Sequence, residues 1–222
     1  MTALPGVGRP GDGISEKAGT MISLQHIEAA AEMIRRQGVI GYPTETVYGL
    51  GGAATDPVAS RVQSLKRRER KPMIILIPDS GSLSLFTQDI PEGVRPLIDA
   101  CWPGPLTLVF HARTGSPGSL IGPDGGIAVR RSPDPVCQQL LSILGEAIIS
   151  TSANPAGLPP ARTAEQVREY FGSRLDGILD GGPRNSSEVS TVLDVQSRPF
   201  KLLREGAVSR SLLLSIAGEY FG

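Results

Sequence analysis

Apolar residues recur along this chain in two rhythms, and the rhythms alternate. Ile27, Ala30, Ala31 and Ile34 keep the i, i+3, i+4, i+7 spacing of a helix with one buried face, with Ser23 as candidate N-cap and Gly38 just past its end. Val39–Tyr42 then reads as a short strand stopped by Pro43, followed by a polar, glycine-rich connection over 44–52. Asp56 and Pro57 read as cap and first turn of a second helix carrying Val58, Val62 and Leu65. A buried-type strand over Met73–Ile77 follows Pro72.

The second half repeats the alternation. Val94, Leu97, Ile98 and Cys101 mark a helix, and Leu106–Phe110 and Ile127–Arg130 read as strands. Val136, Leu140 and Leu144 mark another helix, Ala147–Ile149 a strand, and Thr163 with Gln166 a capping box. Strands are predicted at Gly177–Leu179, Thr191–Val195 and Lys201–Leu203, before a last helix capped by Ser209 and carrying Leu212, Leu213 and Ile216. Helices and strands interleave without a strict βαβ period, repeat or internal linker. The pattern predicts an α/β fold: one domain over 21–222 with a twisted mixed sheet flanked by helices. Residues 1–20 read as a flexible Gly/Pro tail.

Composition narrows the function classes. The 22 basic and 22 acidic side chains cancel, which argues against a chain-wide polyanion-binding field and leaves only a local RNA contact. No apolar run approaches the roughly 18–20 residues of a spanning helix, so no membrane partner is expected. Two cysteines and two histidines are too few for a disulfide scaffold, and no protein-held metal is expected. The N-terminal stretch has no apolar core of a secretory signal, and a reducing, cytoplasmic location fits.

Four polar segments fall at strand ends, where open α/β sheets place their sites. The first, Tyr42–Gly51, offers Thr44, Thr46 and Tyr48 beside glycines; a plain turn would account for the glycines alone. The second is the basic run Lys66–Lys71, which exceeds what a helix C-terminus attracts and could neutralise a triphosphate without a Walker loop. The third ends an apolar strand in Arg130, a costly place for a cation without a partner; a ligand carboxylate and a salt bridge are equal candidates. The fourth, Ser150–Asn154, packs hydroxyls and an amide together; with no neighbouring base it suits a hydrogen-bonding clamp better than a nucleophile.

Taken in order, PTETVYGLG, K-x-R, WPGPLT, the AVR strand, SAN-x-x-G, STVLD and LLREG resemble the YrdC-type family, the threonylcarbamoyl-AMP synthases, from about Met21 to Ser209. The resemblance implies a twisted α/β fold around a large concave cavity. It also implies a nucleotidyltransferase making threonylcarbamoyl-AMP and pyrophosphate from L-threonine, bicarbonate and ATP, with Mg²⁺ accompanying the ATP. The product would pass to tRNA threonylcarbamoyl-transfer proteins for N6-threonylcarbamoyladenosine formation. By the same resemblance Thr44, Tyr48, Arg130 and Ser150 would hold threonine. Lys66 and Arg68 would be the catalytic cations on the ATP phosphates, and Ser152, Asn154, Thr191 and Arg204 would complete the nucleotide site. Leu76 stands where many relatives carry a histidine, and the extra C-terminal domain of longer relatives is expected to be missing. Two other readings stay open: a non-catalytic RNA-binding module using the Arg61–Lys71 patch, and a carbamoyl-adenylate-forming domain of the hydrogenase-maturation type.

Overall fold

In the computed structural model, residues 19–67, 73–186 and 188–222 are described. The chain opens with strand β1 (Thr20–Ser23), helix α1 (Ile27–Arg35), a hairpin of β2 (Ile40–Pro43) and β3 (Tyr48–Gly51), then helix α2 (Asp56–Lys66) and β4 (Ile74–Leu76). The middle holds α3 (Val94–Cys101), β5 (Leu106–His111), β6 (Gly126–Arg130), α4 (Pro135–Leu144) and β7 (Ile148–Ser152). The last part adds α5 (Ala164–Phe171), β8 (Gly177–Asp180), β9 (Thr191–Asp194), β10 (Lys201–Arg204) and α6 (Arg210–Ala217). Among the described residues the strands form one ten-stranded mixed sheet in the order β1-β8-β2-β3-β7-β4-β6-β5-β9-β10.

Mixed pairing follows from the connections. The short 44–47 turn makes β2 and β3 antiparallel, whereas β4 and β6 pair in parallel across a long connection containing α3 and β5. β2, β3 and β6 are buried along their whole length, which explains why they read as short apolar or glycine-rich runs rather than alternating ones. α1 packs on α4, and α3 on α6. Cys101 and Cys137 are both buried free thiols, and burial pushes the Cys137 thiol up to about 12.

Several local expectations are revised. The 44–52 connection contains strand β3, because tertiary pairing with β2 and β7 overrides the low strand propensity of glycine. Gly51 is required there: a Cβ would lie 1.8 Å from the Ile149 carbonyl oxygen. Gln37, not Gly38, takes the left-handed conformation after α1, with φ 63°, and Gly38 supplies the amide that closes the turn on the Met33 carbonyl. Thr55 is the N-cap of α2 rather than Asp56, whose carboxylate instead accepts bonds from Ser119. Ser23 ends β1 and its hydroxyl bonds His26 instead of capping α1. Leu212 is 46% exposed; Leu213 and Ala217 form the buried face of α6.

Candidate active site

A cavity of about 370 Å³ opens on the sheet and is lined from two sides. Its inner bank comes from the central strands: the Thr44–Gly49 segment, Arg130 at the end of β6, and Ser150, Thr151 and Ser152 of β7. Its outer bank comes from Val189, Ser190, Val192, Leu203 and Arg204 around β9 and β10. The volume is in the range of small-molecule sites.

The inner bank is fixed by its own backbone. The Thr44 hydroxyl donates to the Val47 carbonyl at 2.7 Å, and the Thr44 amide to the same oxygen at 3.2 Å, which locks the turn joining β2 to β3. Tyr48 donates its phenol proton to the Gly182 carbonyl at 2.9 Å and accepts from the Gly181 amide. Burial pushes that phenol up to about 12. Ser150 is buried in β7, opposite Ile74 of β4.

Arg130 is only 4% exposed, and it has met an internal partner. Its guanidinium lies 3.3 Å from the Glu45 carboxylate, whose other oxygen accepts the Ser132 hydroxyl proton at 2.5 Å. Arg130 Nε is buried without a hydrogen-bond partner, as is Glu45 Oε1, so the pair is held by charge and leaves donor capacity on the arginine. Glu45 and Ser132 escaped sequence reasoning. The signal was present: a cation ending a buried strand demands an anion, and Glu45 sits between two threonines already singled out.

Lys66 is 3% exposed at the end of α2. Its ammonium donates to the Ser152 carbonyl and, at 3.3 Å, to Asn154 Oδ1. Asn154 Oδ1 also accepts from the Ser152 hydroxyl at 2.6 Å, while its amide donates to the Leu158 carbonyl. Lys66, Ser152 and Asn154 are thus brought together, yet only Ser152 lines the cavity itself. Ser150–Ser152 is strand rather than loop. Arg61 is drawn away from the basic run: it pairs with Asp176 at 2.6 Å. Arg68 lies outside the described residues.

Arg204 lines the outer bank, donating from Nε to the Ser190 carbonyl at 2.9 Å and from Nη2 to the Ser190 hydroxyl at 3.0 Å. Partial burial and the nearby charge of Arg130 hold its guanidinium below the usual arginine value. Thr191 does not reach the cavity, a correction to the expected nucleotide contact. It is fully buried, and its hydroxyl donates to the Val208 carbonyl and accepts the Gly206 and Val208 amide protons. Strand alternation gives the cavity to its neighbours Ser190 and Val192 instead. Leu76 is fully buried in register with Arg130 and does not line the cavity, whereas Ile74 does.

Among the described residues no group of three or more His, Cys, Asp or Glu side chains is disposed to hold a metal ion. Among them, too, no helix is long and apolar enough to cross a membrane.

A family model named for Sua5, YciO and YrdC, and described as telomere recombination, matches residues 32–206. The chain belongs to the Sua5/YciO/YrdC family. Among its relatives in that family, the threonylcarbamoyl-AMP synthase of Halorhodospira halophila is 39% identical over 160 residues, covering 70% of this chain and 82% of that protein. The synthase of Photorhabdus laumondii subsp. laumondii is 38% identical over 173 residues, 75% of this chain and 91% of that one. The crystal structure of P. abyssi Sua5 complexed with L-threonine superposes with a TM-score of 0.84 at 33% identity over 91% of this chain. This chain spans 60% of the length of that longer protein. The Sua5/YciO/YrdC assignment agrees with the α/β fold and its mixed sheet.

Proposed function

We propose that this chain is a threonylcarbamoyl-AMP synthase, joining L-threonine, bicarbonate and ATP and releasing pyrophosphate. The observation that carries the reading is the gathering of Thr44, Arg130, Ser150, Ser152 and Arg204 on one cavity in a chain 39% identical to a protein of that name. In this reading the spare donor edge of Arg130 takes the threonine carboxylate, and Thr44, Tyr48 and Ser150 shape the wall beside it. Arg204 and Ser152 face the nucleotide, with Lys66 and Asn154 bonded to Ser152 beside it and Arg68 as a further phosphate cation.

The reaction asks for no protein nucleophile. The threonine amine adds to carbon dioxide derived from bicarbonate, giving a carbamate. A carbamate oxygen attacks the α-phosphorus of ATP in line, the bond to the β-phosphate oxygen breaks, and pyrophosphate leaves. The chain contributes positioning and cationic stabilisation of the phosphoryl oxygens. Mg²⁺ belongs here as the counter-ion of ATP: the acidic side chains of the described residues form no cage for it, so it would be held by phosphate oxygens and water. The product would be handed to tRNA-modifying transfer proteins in the cytoplasm.

The test is mass-spectrometric detection of threonylcarbamoyl-AMP after mixing the purified chain with ATP, Mg²⁺, bicarbonate and isotopically labelled L-threonine. Labelled product with stoichiometric pyrophosphate is expected. Pyrophosphate release that depends on carbamoyl phosphate rather than threonine, or no turnover with salt-steep RNA binding, overturns the reading.

A further inference from the structure

The segment joining β8 to β9 has an unusual task. β8 is second and β9 ninth in the sheet order, so six strands lie between its two ends. At the usual ~4.8 Å spacing a flat sheet of that width measures about 34 Å across. The segment from Asp180 to Thr191 reaches at most about 40 Å when extended. Its described residues, 181–186 and 188–190, form a strap between the two banks, touching the inner one at Gly181–Gly182 through Tyr48 and lining the outer one at Val189–Ser190.

Its outer end is secured independently of its inner one. Ala207 donates to the Val189 carbonyl, Ser190 takes bonds from Thr107 and Arg204, and Thr191 is tied to 206–208. The inner end is held by Tyr48, by the Arg184 amide on the Arg162 carbonyl, and by the Arg184 side chain. This side chain, 16% exposed, donates to Asp134 Oδ2 at 2.8 Å and to the Gly181 carbonyl at 2.7 Å, and its guanidinium lies 6.0 Å from the Tyr48 ring centroid. Asp134 works with both oxygens: Oδ1 caps α4 by accepting the Val136 and Cys137 amides, and Oδ2 holds Arg184.

The contacts continue inward. The Asp134 amide donates to the Ser132 hydroxyl at 3.2 Å, Ser132 donates to Glu45, and Glu45 faces Arg130. Arg184, Asp134, Ser132, Glu45 and Arg130 form one polar chain from the strap to the cavity floor, with a cation at each end and the two carboxylates between them, joined through Ser132. Nothing in the PTETVYGLG or AVR motifs announces it, because Arg184 and Asp134 lie outside both.

We propose that Arg184, paired with Asp134, is a positioning residue for the amino-acid half of the cavity: it holds the Tyr48 wall directly and sets the Arg130 guanidinium through Asp134, Ser132 and Glu45. The inference rests on the synthase reading for the identity of the amino acid. It separates the two substrates, because Arg204, Ser152, Lys66 and Asn154, the groups assigned to the nucleotide, keep their own anchors when Arg184 is lost.

The experiment compares Arg184→Met, Arg184→Lys and Asp134→Asn with the unaltered chain. Affinities for L-threonine and for ATP are measured by calorimetry, and KM for each and kcat by pyrophosphate release. Arg184→Met is expected to weaken threonine binding and raise its KM about tenfold, with the ATP values within twofold. Arg184→Lys restores part of the loss, since an ammonium can still meet Asp134. Asp134→Asn keeps an N-cap on α4 while removing the charge, so it decides the matter should Arg184→Met fail to fold. Unchanged threonine affinity in the folded variants, or equal weakening for threonine and ATP, overturns the proposal. An unaltered chain that binds threonine but makes no product sinks the synthase reading alone; one that binds no threonine sinks both.

Discussion

Arg130 and Arg204 face the same cavity from opposite kinds of strand. Arg130 ends β6, with neighbours on both sides, and burial there is tolerable only because Glu45 stands against it. Arg204 ends β10, the edge of the sheet, and bonds the neutral oxygen atoms of Ser190. A deep, paired guanidinium has its charge largely cancelled and its plane fixed, so it offers geometry: a donor edge in a set direction. A rim guanidinium bonded to neutral groups keeps its charge for an incoming anion. Arg130 is therefore suited to recognise shape and Arg204 to neutralise charge, as the proposed amino-acid carboxylate and polyphosphate require.

The comparison is most exposed at Arg130. Replacing it by alanine leaves Glu45 buried beside no cation, and should cost about 3–5 kcal/mol of stability as well as threonine-dependent turnover. Urea unfolding checks this, and a cost no larger than that of Arg204→Ala would erase the distinction between the banks. Next in size is Thr191→Val, which orphans the Gly206 and Val208 amides and the Val208 carbonyl and should cost about 2–3 kcal/mol. A change in the nucleotide KM of folded Thr191→Val protein beyond threefold would return Thr191 to the binding site. Arg204→Ala should shift unfolding by less than about 0.5 kcal/mol. Its kcat/KM for ATP should fall about 10- to 100-fold, the worth of one charge-assisted bond.

The smallest effect concerns Tyr48. Burial favours its neutral phenol, so the raised value contributes stability below pH 10 that is lost as pH climbs through about 12. Tyr48→Phe should lose about 1 kcal/mol near pH 8 and then show a flatter stability profile between pH 10 and 12. Denaturation midpoints across that range check it. An equally steep profile in the variant would place the alkaline sensitivity elsewhere.

The chain's own periodicity was enough for α1, α3, α4 and most strands, since each carries an apolar face matched to its rhythm. The family motifs were enough to name Thr44, Arg130, Ser150, Ser152 and Arg204 as companions, and all of them line the one cavity. Local pattern failed where distant pairing decides: β1 exists because β8 lies beside it, and β3 because β2 and β7 flank a glycine-rich run. It failed again at Thr191, because a motif gives the residue but not the face on which its hydroxyl points. Alternation over 190–192 fixes that face only once the sheet is closed. Residue types and their order are written in the chain, and with them the family and its chemistry. Which cation is cancelled, which stays available, and which residue of the strap holds the amino-acid wall depend on contacts between segments scores of residues apart. Electrostatic pairing and burial act through space rather than along the sequence, so those features were decided by the folded structure alone.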